Sequence, residues 1–100
     1  MLIVTGTVEV SLDSVDKALE AAQKMVAETV KESGCLIYEF SQTLGQSNKF
    51  RVYEEWQDQA ALEAHFVSPH MAEFQAVLGE VGVVSSDIYR IVGGEKQPLR

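Results

Sequence analysis

One stretch of the sequence, residues 51–74, holds the only Trp and both His of the chain next to two adjacent acids. Alternation along a strand places Glu54 and Trp56 on one mostly apolar face. His65 lies on the inward face of the helix that follows. A carboxylate among apolar side chains is costly unless it has a partner, and His65 is the nearest candidate donor. The spacing therefore predicts a Glu54–His65 hydrogen bond that orients the imidazole as a general base.

The same residues also have a purely structural interpretation. An inward histidine is often a hydrogen-bonded core residue, and a tryptophan at a strand end usually serves packing. We expect Glu55 and Glu63 to be solvated charges. The pattern alone leaves the catalytic and the structural interpretation open.

Metal and covalent chemistry receive no support from the motifs. His65 and His70 are five residues apart, which is roughly 140° around a continuous helix, so they would not share one face. Metalloprotease, CxxC, Walker and GxGxxG patterns are absent, as is the G-x-S-x-G of serine hydrolases. We therefore expect no metal and no cofactor.

Composition narrows the classes of partner and compartment. The chain has 100 residues, a net charge of −7 and a single cysteine, Cys35. An acidic chain repels nucleic acid and anionic membranes, so we expect neither as a partner. No apolar run approaches the roughly 20 residues of a membrane helix, and no signal peptide is recognisable. A lone cysteine fits a reducing cytoplasm, where we expect the protein to reside.

Hydrophobic periodicity divides the chain in the order β-α-β-β-α-β. The first helix is predicted over 15–31, with Gly34 as its left-handed stop. Asp58 should cap the second helix, which Ser68 and Pro69 interrupt and restart. The strands are predicted at residues 2–10, 35–44, 49–56 and 83–92. The order indicates an α+β, ferredoxin-like domain over 1–93, with two helices on one face of a four-stranded antiparallel sheet and a tail at 94–100.

The face of the sheet that the helices leave open has a mixed composition. It is too apolar for open solvent and too polar for a core, with the following residues on the second and third strands: Cys35, Ile37, Glu39, Arg51, Tyr53 and Glu55. We expect a second copy of the chain to cover this face, which makes the protein a homodimer.

Three segments carry a resemblance to a known family. They are ESGCLIYEF (32–40), FRVYEEW (50–56) and LEAHFVSPHMAEF (62–74), with the motifs G-C-x-x-Y, E-x-W, A-x-x-x-H and S/T-P-H in that order. On these segments the chain resembles the antibiotic biosynthesis monooxygenase domain, in particular its quinol-oxidising bacterial branch. The resemblance implies a dimeric α/β barrel of ferredoxin-like subunits. It also implies oxygenation of a small quinol or polyphenolic aromatic by O₂, without metal or flavin.

The resemblance also assigns roles to individual residues. It gives the base to His65, oriented by Glu54. Tyr38 or His70 would hydrogen-bond a substrate oxygen. The substrate-binding set comprises Trp56, Tyr38, Phe40, Phe66 and His70.

Two alternatives within the same resemblance remain open. The E-x-W and His signals also occur in isomerases of a small phosphorylated dione, so the same base could serve an isomerase or tautomerase. A non-catalytic dimeric protein that binds a small molecule is the other alternative. Haem binding is not expected, because haem-degrading relatives carry an Asn on the first strand and residues 1–10 have none.

Overall fold

The computed structural model describes all 100 residues. Its elements, in chain order, are β1 (Leu2–Val10), α1 (Val15–Thr29), β2 (Cys35–Thr43), β3 (Gln46–Trp56), α2 (Gln59–Phe66), α3 (Pro69–Val81) and β4 (Val83–Ile91), with a short 3₁₀ turn at Leu12–Ser14. The strands form one antiparallel sheet in the order β2-β3-β1-β4. This is the ferredoxin-like α+β arrangement that the sequence predicts.

The helices cover one face of the sheet because most alternate residues of the central strands β1 and β3 are apolar. On β1 the alternation is regular, and the residues buried under the helices include Leu2, Val4, Val8 and Val10. Helix α1 contributes a stripe at helical spacing, namely Ala18, Ala22, Met25 and Thr29. Packing of these two surfaces removes apolar area from water and so fixes the layer order.

Helix α1 ends earlier than predicted, and Gly34 has a different role. The helix stops at Thr29. Positive φ angles occur only at Gly45, Gly82 and Gly93, so the predicted left-handed stop at Gly34 is wrong. A Cβ at Gly34 would overlap the Cβ of Ala61. Glycine is needed there because the turn between α1 and β2 packs directly on α2.

The predicted interruption of the second helical segment is confirmed. Asp58 accepts the Ala61 N–H at 2.9 Å and caps α2. Ser68 accepts the Met71 N–H at 3.2 Å, and Pro69 is the first residue of α3. Because α2 and α3 are separate helices, side chains on either side of this break can converge on one point.

The open face of the sheet includes one buried acid. Contrary to the expectation of a solvated charge, Glu55 is 3% exposed. The Tyr53 hydroxyl donates to its carboxylate, and Lys96 lies 3.2 Å from it. The hydrogen bond from Tyr53 is the main reason that the pKa of Glu55 is lowered. Sequence reasoning missed this cluster because its third member lies beyond the last strand.

None of the helices combines the length and the apolar composition needed to cross a membrane.

Candidate functional site

A cavity of about 590 Å³ opens between the sheet and helix α3. Its floor is formed by side chains of all four strands, and its roof by α3 and the end of α2. Most of the lining is apolar and includes Phe40, Phe66, Met71, Phe74 and Ile88. Tyr38 and Glu54 bring polar atoms to this lining. A mostly apolar cavity with a few polar groups is the usual form of a small-molecule site.

Strand register brings the two polar side chains together. Tyr38 of β2 is directly opposite Glu54 of β3, and Val4 of β1 is opposite Glu54 on the other side. Cross-strand partners point to the same face of a sheet. Tyr38 and Glu54 therefore lie side by side on the face that the helices cover.

Glu54 is a buried carboxyl with one hydrogen-bond partner. It is 7% exposed, and the Trp56 indole N–H donates to its Oε1 at 2.9 Å. Burial raises the pKa of Glu54 to about 7, and the indole hydrogen bond opposes this rise only in part. A carboxyl that titrates near neutrality can both take up and return a proton, which suits a general acid–base.

Tyr38 keeps its proton over the same pH range. Burial, followed by the negative charge of Glu54, raises the pKa of its phenol. Its ring makes edge contacts with Phe40 at 5.7 Å and with Trp56 at 6.5 Å between centroids. Tyr38 is therefore a fixed hydrogen-bond donor at the wall of the cavity.

A second polar cluster lies at the junction of three elements. Glu32, in the turn after α1, places its Oε2 2.7 Å from His65 Nδ1 and 2.7 Å from His70 Nε2. His65 belongs to α2 and His70 to the first turn of α3. Burial lowers the pKa of His65, and Glu32 opposes that effect. The three possible ligand atoms lie within 4.8 Å of one another.

The predicted hydrogen bond between Glu54 and His65 is wrong. Glu54 bonds to Trp56, whose side chain lies two residues further along the same strand face. His65 turns its Nδ1 toward Glu32, and its Nε2 is buried without a partner. The His65 ring instead stacks on Trp56, with 4.8 Å between centroids and 38° between planes.

The predicted site residues thus separate into two groups. Tyr38, Phe40, Glu54 and Phe66 line the cavity. Trp56, His65 and His70 do not line it, although Trp56 connects the two groups through its contacts with Glu54 and His65. The two histidines, which would lie on different faces of one continuous helix, converge on Glu32 because α2 and α3 are separate helices.

Glu32 is the residue that sequence reasoning missed. It lies 33 residues from His65 and 38 from His70, which is outside any local metal-ligand spacing. Its position as the first residue of the ESGCLIYEF segment was the only available signal.

Comparison with known proteins assigns the family. A family model described as "Antibiotic biosynthesis monooxygenase" matches residues 1–77, and the chain belongs to this family. The Bacillus subtilis protein "Putative monooxygenase YcnE" is 27% identical over 90 residues, covering 90% of this chain and 95% of that protein. "Uncharacterized protein sll1783" of Synechocystis is 30% identical over 73 residues, which are 73% of this chain but only 50% of the Synechocystis protein.

Solved structures agree with the family assignment. A Deinococcus radiodurans protein described as a "putative antibiotic biosynthesis monooxygenase" superposes with a TM-score of 0.92 at 25% identity, covering 100% of this chain and 99% of that one. An "antibiotic biosynthesis monooxygenase" structure superposes with a TM-score of 0.87 at 22% identity, covering 95% and 100% of the two chains. The second likeness concerns the fold alone.

Proposed function

We propose that this protein is a cofactor-independent monooxygenase that oxidises a small quinol or polyphenolic aromatic with O₂ in the cavity beside Glu54. The observation that carries the proposal is a buried carboxyl, with a pKa of about 7, in an apolar cavity with aromatic walls. Membership of the antibiotic biosynthesis monooxygenase family supports the reaction class. The identity of the substrate as a quinol or polyphenol is our own proposal.

The cavity suits an aromatic ring with one or more hydroxyl groups. A volume of about 590 Å³ lies within the roughly 300–1,000 Å³ of typical ligand sites. Phe40, Phe66 and Phe74 offer ring faces and edges for stacking. Tyr38 donates a hydrogen bond to one substrate oxygen, while Glu54 accepts the proton of a hydroxyl group.

The chemistry needs a base because ground-state O₂ reacts slowly with closed-shell molecules, whereas a phenolate is a good one-electron donor. Glu54 removes a phenolic proton, and the phenolate transfers one electron to O₂. The resulting radical and superoxide join at a ring carbon, and Glu54 returns its proton to form a hydroperoxide. Glu54 then removes the hydrogen of that carbon as the O–O bond breaks, which leaves a carbonyl and expels hydroxide. Glu54 gives its proton to this hydroxide, which forms water and restores the carboxylate. One oxygen atom enters the substrate, the other becomes water, and the substrate supplies all four electrons.

In this proposal the base is Glu54 rather than His65. His65 does not line the cavity and is 1% exposed. It acts as a positioning residue, because its ring supports Trp56 and Trp56 holds Glu54. His70 supports His65 through Glu32 in the same way.

We further propose that the active form is a homodimer, with the open sheet faces of two copies packed as an α/β barrel. On the open face of β4, the side chains of Tyr89 and Ile91 are exposed without cover. A second subunit would bury such a surface. In this dimer, residues 1–93 of each copy would form the domain and residues 94–100 a tail. We propose that the protein works in the cytoplasm, where the reducing environment suits its single free cysteine, Cys35.

The test is oxygen uptake with a panel of hydroquinones on chelator-treated protein. We expect one O₂ consumed for each hydroxyquinone formed. Glu54→Gln keeps an acceptor for the Trp56 N–H but cannot take a proton, so kcat should fall about 10²- to 10⁴-fold. Glu20→Gln, at an exposed position of α1 away from the cavity and the open sheet face, is the matched control and should keep wild-type turnover.

The proposal fails if no quinol is oxidised, or if Glu54→Gln turns over as fast as the wild type. Isomerisation is the second candidate, because a carboxyl near neutral pKa beside a phenol donor also suits enolisation. Turnover under strict anaerobiosis would identify the isomerase. Binding without turnover in either atmosphere would identify a small-molecule-binding protein.

A further inference from the structure

We propose that Glu32, His65 and His70 form a binding site for one divalent transition metal ion of the Zn²⁺ class, separate from the cavity. Two imidazole nitrogens and one carboxylate oxygen converge there from three different elements. Nothing in the family comparison assigns a metal to this position. The cavity chemistry does not use it.

The donor set selects the class of ion. Neutral imidazole suits Zn²⁺ and other late first-row metals, whereas Mg²⁺ and Ca²⁺ prefer sites made only of oxygen. Two histidines and one carboxylate also match the ligands of three-ligand zinc sites, which hold a water at the fourth position. We therefore expect Zn²⁺ and Co²⁺ to bind and Mg²⁺ not to compete.

The distances are compatible with an ion after a small adjustment. Glu32 Oε2 now lies 2.7 Å from each histidine nitrogen. Tetrahedral bonds of about 2.0–2.1 Å would place ligand atoms roughly 3.3 Å apart, so Glu32 Oε2 must move about half an ångström away from each nitrogen. The two histidine nitrogens, which lie within 4.8 Å of each other, must reach the same separation. The ion would take the place of the two direct contacts between Glu32 and the histidines.

The proposed metal site has one rigid, buried ligand, His65, and two ligands that reach the surface, Glu32 and His70. The His65 side chain is 1% exposed and packs between the rings of Trp56 and Tyr38. The side chains of Glu32 and His70 are 18% and 16% exposed. Glu32 can adjust because it lies in a turn and its Oε1 makes no hydrogen bond within the protein. An ion and its water can therefore enter from the side of Glu32 and His70.

Such an ion would have a structural effect. It would connect the turn after α1 to α2 and α3, which otherwise meet through a carboxylate and two imidazoles. It would also hold the His65 ring against Trp56, one contact away from Glu54.

The experiment uses the full chain after chelator treatment. Zn²⁺ affinity is measured by competition with a chromophoric chelator, and Co²⁺ is followed by visible absorption. We expect one ion per chain, a tetrahedral Co²⁺ spectrum and a higher melting temperature with Zn²⁺. Loss of an outer partner weakens metal sites about 10- to 100-fold, so loss of a ligand in Glu32→Gln or His70→Gln should weaken binding by about 100-fold or more.

Glu28→Gln is the matched control, because Glu28 lies one turn earlier and its carboxylate pairs with the exposed Lys31. It should bind Zn²⁺ as the wild type does. The proposal is overturned if the wild type binds no tighter than Glu32→Gln, or if Co²⁺ gives no tetrahedral spectrum. Circular dichroism of each variant establishes that it is folded, and Glu32→Gln retains hydrogen-bonding atoms for both histidines. Oxygen uptake by chelator-treated protein tests the proposed function separately, since its active site lies in the cavity.

Discussion

Two buried or partly buried glutamates lie on different sides of the Trp56–His65 contact, and their surroundings give them different chemistry. Glu54 faces an apolar cavity and accepts one hydrogen bond, from the Trp56 indole. Glu32 faces two imidazoles and lies at the surface end of the junction between helices. Burial raises the pKa of Glu54 to about 7. Glu32, in contrast, is placed as a hydrogen-bond acceptor shared by two histidines, or as a metal ligand. The same residue type thus becomes a base in one region and a ligand in the other.

The largest stability effect should come from removing the cavity carboxyl. The pKa of Glu54 rises from 4.5 to about 7 on folding, so its contribution is present below pH 4.5 and is lost as pH rises through 7. At about 1.4 kcal/mol per pH unit, the wild type should lose about 3 kcal/mol of unfolding free energy across this window. Glu54→Gln should not show that loss. Urea unfolding of both proteins at several pH values measures the difference.

Glu20→Gln, on the exposed side of α1, provides the reference for this measurement and should lose as much stability as the wild type. If Glu54→Gln and the wild type lose stability in parallel, folding does not raise the pKa of Glu54 as described.

A smaller effect is expected at the junction that holds Glu32. Gly34→Ala places a methyl group against Ala61, and the turn must move away from α2. Overpacking of this kind costs about 1–3 kcal/mol. Denaturant unfolding measures the loss, and Zn²⁺ affinity should fall with it because Glu32 is two residues away. Unchanged stability would show that the turn does not depend on close packing.

The smallest effect should be a gain at the rim of the cavity. Gly79 lies inside α3, and a Cβ there would meet no atom within 4 Å. Glycine inside a helix is less stable than alanine by about 0.5–1 kcal/mol. Gly79→Ala should therefore raise the unfolding free energy by that amount in thermal or denaturant unfolding. A loss of stability would mean that α3 needs the glycine for a reason other than space.

The sequence predicts the fold well because the fold depends on local patterns. Alternation in β1, the cap at Asp58 and the restart at Ser68–Pro69 all appear in the structure as expected. Each depends on residues that are close in sequence and on backbone chemistry that does not change with context.

The site was predicted less completely because it depends on which side chains meet across the chain. Residue types indicated a buried carboxyl near a histidine, but both Glu54 and Glu32 fit this pattern. The partner of Glu54 proved to be Trp56, and the partner of His65 proved to be Glu32, in a turn 33 residues away. Helical spacing separated His65 from His70, whereas the break at Pro69 brings them together.

The central claim is that the side-chain carboxyl of Glu54 has a pKa of about 7. A ¹³C NMR titration of this carboxyl tests the claim most directly. Comparison with Glu54→Gln assigns the Glu54 carboxyl signal. We predict a midpoint of about pH 7 for Glu54 in the folded protein. A midpoint near the ordinary value of 4.5 would contradict the account, because Glu54 would then be too weak a base to take the phenolic proton efficiently, as the mechanism requires.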